Sequence, residues 1–130
     1  MPKITIKTLP LHKHVDIPRV LKKLGDNLAY VLNIPLNRIV IIWEKILPDH
    51  FLFNGRTAKS QERSTHHPIV EVTIIKGMPA KLIKIMVITL VRDLSFGLKI
   101  DYDNICVILN TLEPEQLFVN GDFKDKQGHA

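Results

Sequence analysis

The stretch Pro2-Lys3-Ile4-Thr5-Ile6-Lys7-Thr8 alternates apolar and polar residues, and 66 positions later Pro68-Ile69-Val70-Glu71-Val72-Thr73-Ile74-Ile75 opens in the same way. In an extended chain Ile4 and Ile6 share one face and Lys3, Thr5 and Lys7 the other, the period-two pattern of a half-buried strand. A proline at the head of each strand is tolerated, because its missing N–H lies at the ladder's end. The same offset carries Ile34 onto Ile100, Ile39 onto Ile105, Pro48 onto Pro114 and Asn54-Gly55 onto Asn120-Gly121, with no gap. Proline and Asn-Gly coinciding at one fixed shift mark an internal repeat.

Each repeat carries the same order of signals. In the first, Asp16 and Pro18 open a helix whose stripe is Ile17, Leu21, Leu24, Leu28, Val31 and Leu32. In the second, Pro79 opens a helix with a narrow polar edge of Lys81, Lys84, Arg92, Ser95 and Lys99, so greasy elsewhere that burial on more than one side is expected. A second strand follows in each, Arg38 to Trp43 and Asn104 to Leu109. Runs such as Ile39-Val40-Ile41-Ile42 fit parallel strands buried on both faces. The Asn-Gly pairs read as hairpin turns. The expected fold is therefore α/β (α+β): two fused βαβ repeats giving a four-stranded mixed sheet with two helices on one face. The expected layout is a single domain over 1–130, with repeat one at 2–55, a linker at 56–67, repeat two at 68–123 and a frayed tail at 124–130. The uncovered sheet face calls for a partner, so self-association is expected on burial grounds.

Composition bounds the function classes. At 130 residues, 45% hydrophobic and 24% charged, the chain is sized for one globular domain. The single cysteine, Cys106, allows no internal disulfide and suits a reducing, cytoplasmic setting. The stretch Leu82 to Val91 is shorter than the roughly 20 residues that span a bilayer, and no membrane association is expected. The net charge of +5 is spread along the chain without a nucleic-acid-binding signature, so nucleic acid is not expected as a partner. His12 and His14, and the pair His66-His67, lack a third ligand in register, so no metal is expected.

Several stretches resemble the tautomerase superfamily. Pro68 through Gly77 resembles the opening strand and turn of 4-oxalocrotonate tautomerase, Ile34 through Ile42 its second strand, and Asp49 through Gly55 its late hairpin. Fused pairs of this length resemble 5-carboxymethyl-2-hydroxymuconate isomerase, macrophage migration inhibitory factor and cis-3-chloroacrylic acid dehalogenase. The resemblance covers most of residues 2 to 123. It implies a tautomerase/MIF-like fold, a homotrimer, no cofactor, and catalysis by an N-terminal proline, here Pro2 after removal of Met1. Ordinary α-amino groups titrate near ~7.7–8.0; an apolar site or nearby cations disfavour the ammonium form. A neutral amine near pH 7 can then move a proton between carbon and oxygen. Pro68 is the internal control, since its nitrogen is an amide.

The resemblance also has departures. Arginines that hold acidic substrates in such enzymes fall at Met78, after Gly77, and at Val40. The dehalogenase positions for arginine, glutamate and tyrosine hold Ile75, Val119 and Ile108, which argues against water addition. The inhibitory-factor lysine position holds Ile34. The remaining candidates for substrate binding are Lys76 and Lys81, which flank the turn, Asn110 as a carbonyl polariser and Phe51 as a pocket wall. The reading is a cofactor-independent tautomerase or isomerase, with Pro2 as general base on a small-molecule enolisable 2-oxo or enol acid. The alternative is a catalytically degenerate tautomerase-like protein that binds a partner.

Overall fold

The computed structural model describes residues 2–124. Strand β1 (Lys3–Thr8) leads to helix α1 (Ile17–Leu32), β2 (Val40–Lys45) and a hairpin of β3 (Leu52–Phe53) and β4 (Arg56–Thr57). The second repeat follows with β5 (Ile69–Ile75), α2 (Ala80–Leu98), β6 (Cys106–Leu112) and a hairpin of β7 (Phe118–Val119) and β8 (Asp122–Phe123). The main sheet runs β2-β1-β5-β6. Within each repeat the two strands are parallel, and β1 meets β5 antiparallel at the centre. This is the mixed sheet with two helices that the repeat implied.

Local chemistry sets the element ends. Asp16 caps α1 by accepting from the Arg19 N–H at 3.2 Å, and Pro18 lies in the first turn, where its absent N–H costs nothing. A helix reaching further back would put Pro18 in its interior, where the ring clashes with a carbonyl. Both helices end on a left-handed residue, Asn33 and Lys99, and these coincide at the repeat offset. Asn54-Gly55 and Asn120-Gly121 all have φ between 53 and 82°, as two-residue hairpin loops of type I′ require.

The core lies between sheet and helices. Ile4 and Ile6 of β1, and Val70, Val72 and Ile74 of β5, pack against Leu24, Leu28, Met86, Leu90 and Leu94. α1 and α2 also pack on each other, with Asn27 Nδ2 donating to Asp93 Oδ2 at 2.7 Å.

Three expectations change. The second strands begin and end two or three residues later than read, because Leu36–Arg38 form a 3-10 turn and Asp101 to Ile105 a loop. β2 and β6 are edge strands, so their apolar runs are not buried on both faces: within one chain Ile42 and Ile108 stay exposed. α2 is buried on two sides, against the sheet and against α1, as expected, and exposes Ile88 and Phe96 on the remaining side. The tail expected from 124 does not start there: Lys124 is buried, and its N–H donates to the Leu117 carbonyl at 3.0 Å. Residues 125–130 lie outside the described residues.

The stretch between the repeats is strapped down. Gln61 accepts from the Leu9 N–H at 3.2 Å and donates to the His66 carbonyl at 2.7 Å. Asn104 Nδ2 donates to the Arg63 and Thr65 carbonyls at 3.1 and 3.0 Å. His66 is fully buried, edge-on to Phe51 and Phe53, with Nε2 at 2.9 Å from the Arg56 carbonyl. Arg56 grips Glu62 through two hydrogen bonds of 3.0 and 2.7 Å, and the Thr65 hydroxyl donates to the same carboxylate. The Arg56 hydrogen bonds first, and then that from Thr65, lower the Glu62 pKa from 4.5 to about 2. A folded pKa below the unfolded one contributes stability that is complete above pH 4.5 and lost as pH falls toward 2. Glu62→Gln therefore lowers the urea midpoint at pH 7 and flattens its decline across that window. An unchanged acid limb in the variant would show that the pair contributes nothing.

Candidate active site

Pro2 stands at the head of central strand β1 and is buried. Its carbonyl accepts from the Val40 N–H at 3.3 Å, which ties the end of β1 to β2. In the sheet register Lys3 lies beside Val40 on one side and Thr73 on the other, and Thr73 beside Asn110. One step back along β1, Pro2 is level with Ile74 and Thr111, on the face of the sheet that carries Ile4 and Ile6. The parity of the strand thus turns Pro2 toward the apolar helix layer, where a charged ammonium would be disfavoured.

The turn from β5 into α2 closes this end. Gly77 has φ +112°, a conformation that side-chain-bearing residues avoid, and Met78 packs against the core. The Lys76 N–H donates to the Leu112 carbonyl at 2.8 Å, holding the turn against β6. Lys76 Nζ sits 3.3 Å from Glu113 Oε1, both exposed. That cation therefore already has an acidic partner before any substrate arrives. Lys81 is exposed in the first turn of α2 and makes no ion pair among the described residues.

Of the residues singled out from sequence, Lys76 and Lys81 come to the Pro2 end. Asn110 is exposed on edge strand β6, but the pleat turns it to the uncovered face, away from the side Pro2 faces. Phe51 does not join them within one chain. It precedes the β3–β4 hairpin, which follows the far end of β2, and it packs edge-on against His66 and His67. Six residues of strand, about 20 Å, separate that end from Pro2. Thr111 is the side chain that sequence reading passed over. Only the register, Ile74 beside Thr111, brings it level with Pro2. Cys106, expected mid-strand, is the half-buried first residue of β6. Among the described residues no three His, Cys, Asp or Glu side chains converge as metal ligands, and no helix is long and apolar enough to cross a membrane.

No family model matches the chain, and no curated protein matches it by sequence. Solved structures do. A fused 4-OT, Q0, wild type and a symmetric trimer, superposes with a TM-score of 0.80 over 97% of this chain and 98% of its own, at 17% identity. Pt0534 inactivated by 2-oxo-3-pentynoate gives 0.82 over 96% and 97%, at 14% identity. Macrophage migration inhibitory factor of Toxoplasma gondii gives 0.66 over 93% and 98%, at 13% identity.

The chain has the tautomerase fold.

At such identities the likeness carries the fold, end to end. Pro2 faces the apolar layer at the end of the sheet that also holds Lys76 and Lys81, and positions 78 and 40 there are Met78 and Val40, not arginines.

Proposed function

We propose that the chain is a cofactor-independent tautomerase or isomerase whose general base is the Pro2 nitrogen, acting on a small enolisable 2-oxo acid. The observation that carries this reading is the burial of Pro2 at the end of a central strand, on the apolar side of the sheet. With Met1 removed, the secondary amine accepts the hydroxyl proton of a bound enol, and the ammonium returns a proton to C3, leaving the 2-oxo acid. Proton balance is closed without a cofactor. An apolar surrounding disfavours the ammonium form of that amine, and the ring fixes the direction of its lone pair. Lys81 is the cation available to a substrate carboxylate; Lys76 is shared with Glu113. A lysine is a point charge, not a fork, so the substrate is a monoacid with an apolar remainder. The test is ketonisation of a panel of enol 2-oxo acids, such as phenylenolpyruvate, beside Pro2→Ala. No Pro2-dependent rate on any member would overturn the reading.

One observation favours a second reading. Met78 and Val40 stand where the resemblance implied arginines, and a degenerate fold of this kind would serve as a binding protein. Retained Met1 in a mass spectrum is its signature, because an acylated nitrogen is no base.

The assembly proposed is a homotrimer. The uncovered face carries Val40 and Ile42 of β2 and Ile108 of β6, and the second hairpin exposes Phe118 and Phe123. Exposed apolar area on this scale marks an interface, and the fused 4-OT with this fold is a symmetric trimer. Sedimentation equilibrium at micromolar concentration is expected to give three times the chain mass; a monomer at every concentration would exclude the assembly. A reducing intracellular setting accords with the single half-buried cysteine.

A further inference from the structure

The two repeats are not equivalent in charge. At the end of the sheet away from Pro2, α1 begins where α2 finishes, and a cleft of about 870 Å³ lies between them. Its rim holds His12, His14, Arg19, Lys23, Arg92 and Lys99. Arg63, from the strap between the repeats, forms a further wall. Only two acids, Asp16 and Asp93, line it. Both are occupied: Asp16 caps α1 through the Arg19 N–H, and Asp93 accepts from Asn27 at 2.7 Å with Arg92 at 3.7 Å. Arg63 is paired with Asp101 at 2.8 Å. Among the described residues the Arg19, Lys23 and Lys99 side chains have no acidic partner.

The same offset that reveals the repeat isolates this feature. It carries His12 onto Met78, His14 onto Ala80, Arg19 onto Ile85 and Lys23 onto Thr89, and it carries Arg92 and Lys99 back onto Asp26 and Asn33. At every one of these positions the Pro2 end has a neutral or acidic residue. The backbone differs too. Residues 80–82 form the first turn of α2, whereas their counterparts, 14–16, remain unwound because Pro18 stops α1 from starting earlier. That unwound stretch is the part of the wall that carries His14.

The floor is apolar. Val20, Leu24, Leu98 and Ile100 line it. The helices touch at Gly97, where a Cβ would stand 3.4 Å from both Val20 methyls. Phe96 is 77% exposed at the edge, with Lys23 Nζ 5.1 Å from its ring centre. An aromatic ring left in water under a cation is half of a sandwich that a second flat ring completes. The volume falls within the range of small-molecule sites.

We propose that this cleft is a second binding site, separate from Pro2, for a small organic anion with a flat apolar body, an aromatic carboxylate being the type. Arg19, Lys23 and Lys99 hold the carboxylate, and Phe96 and the Val20–Leu24 floor take the ring.

The test is a titration of ¹⁵N-labelled full-length protein with 2-naphthoate, followed by amide shifts, with uncharged 2-naphthamide as control. Naphthoate is expected to shift Leu24, Gly97 and Ile100 saturably. Naphthamide is expected to bind about tenfold more weakly, and so is naphthoate to the double variant Arg19→Gln/Lys23→Gln, whose two exposed charges contribute on that order. The variant is expected to keep its melting temperature and any Pro2-dependent ketonisation. No saturation by about 10 mM, equal affinity for the amide, equal affinity in the variant, or saturating shifts confined to the surroundings of Pro2 would each overturn the site.

Discussion

Pro2→Ala is expected to lower the rate of enol ketonisation by about 10²- to 10⁴-fold, the range by which a positioned general base accelerates proton transfer. The chain start is then a primary amine on a freely turning residue. Its intrinsic basicity is similar, so the loss comes from direction and environment. The proline ring fixes the lone pair, and the β1 ladder fixes the ring through the Pro2 carbonyl and the Val40 N–H. Alanine keeps the ladder bond and loses the ring. A companion variant, Lys81→Ala, separates base from binder: it is expected to raise KM with kcat nearly unchanged, as removal of uniform binding does. A Pro2→Ala protein within threefold of wild type would mean that the measured ketonisation is not catalysed at the terminus.

Leu90→Ala is expected to destabilise the fold by about 2–5 kcal/mol. Leu90 has no exposed surface and sits in the single cluster joining both helices to β1 and β5. Truncation removes its transfer energy and leaves a cavity beneath a helix pinned at both ends, at the Gly77 turn and by the Asn27–Asp93 hydrogen bond. A domain of this size loses about 10 °C of melting temperature for such a change. Ile88→Ala, two residues away on the outward side of the same helix, is the control and is expected to stay within about 0.5 kcal/mol. Both are read at one protein concentration, because association shifts apparent stability. Equal effects at 88 and 90 would mean that the outer side of α2 is covered.

The fold was legible because its strongest signals are positional. Alternation in Pro2 to Thr8, the no-gap offset and the paired Asn-Gly turns survive without knowledge of tertiary contacts. What was not legible depended on a third layer. The run Ile39-Val40-Ile41-Ile42 reads the same whether a helix covers both faces or one face awaits a second molecule. Only the sheet order made β2 an edge. The strap between repeats reads as a polar linker, because nothing in Gln61 or Asn104 announces partners as distant as the Leu9 N–H, 52 residues from Gln61, or the Arg63 carbonyl, 41 from Asn104.

The site divided along the same line. Pro2 stands out by being second in the chain. The Lys76–Glu113 pair spans 37 residues and follows from β5 lying parallel to β6. Phe51 reads as a pocket wall from its aromatic side chain alone, and which end of the sheet its hairpin occupies depends on strand direction. Thr111 carried no signal except the register.

The most direct measurement is the mass of the N-terminal peptide after treatment with 2-oxo-3-pentynoate, the compound that inactivated the similarly folded Pt0534. Catalysis by Pro2 predicts a chain beginning at Pro2, one adduct on that residue, and ketonisation lost in proportion to labelling. A chain that keeps Met1, or an adduct found on Cys106 with the terminus untouched, would contradict it.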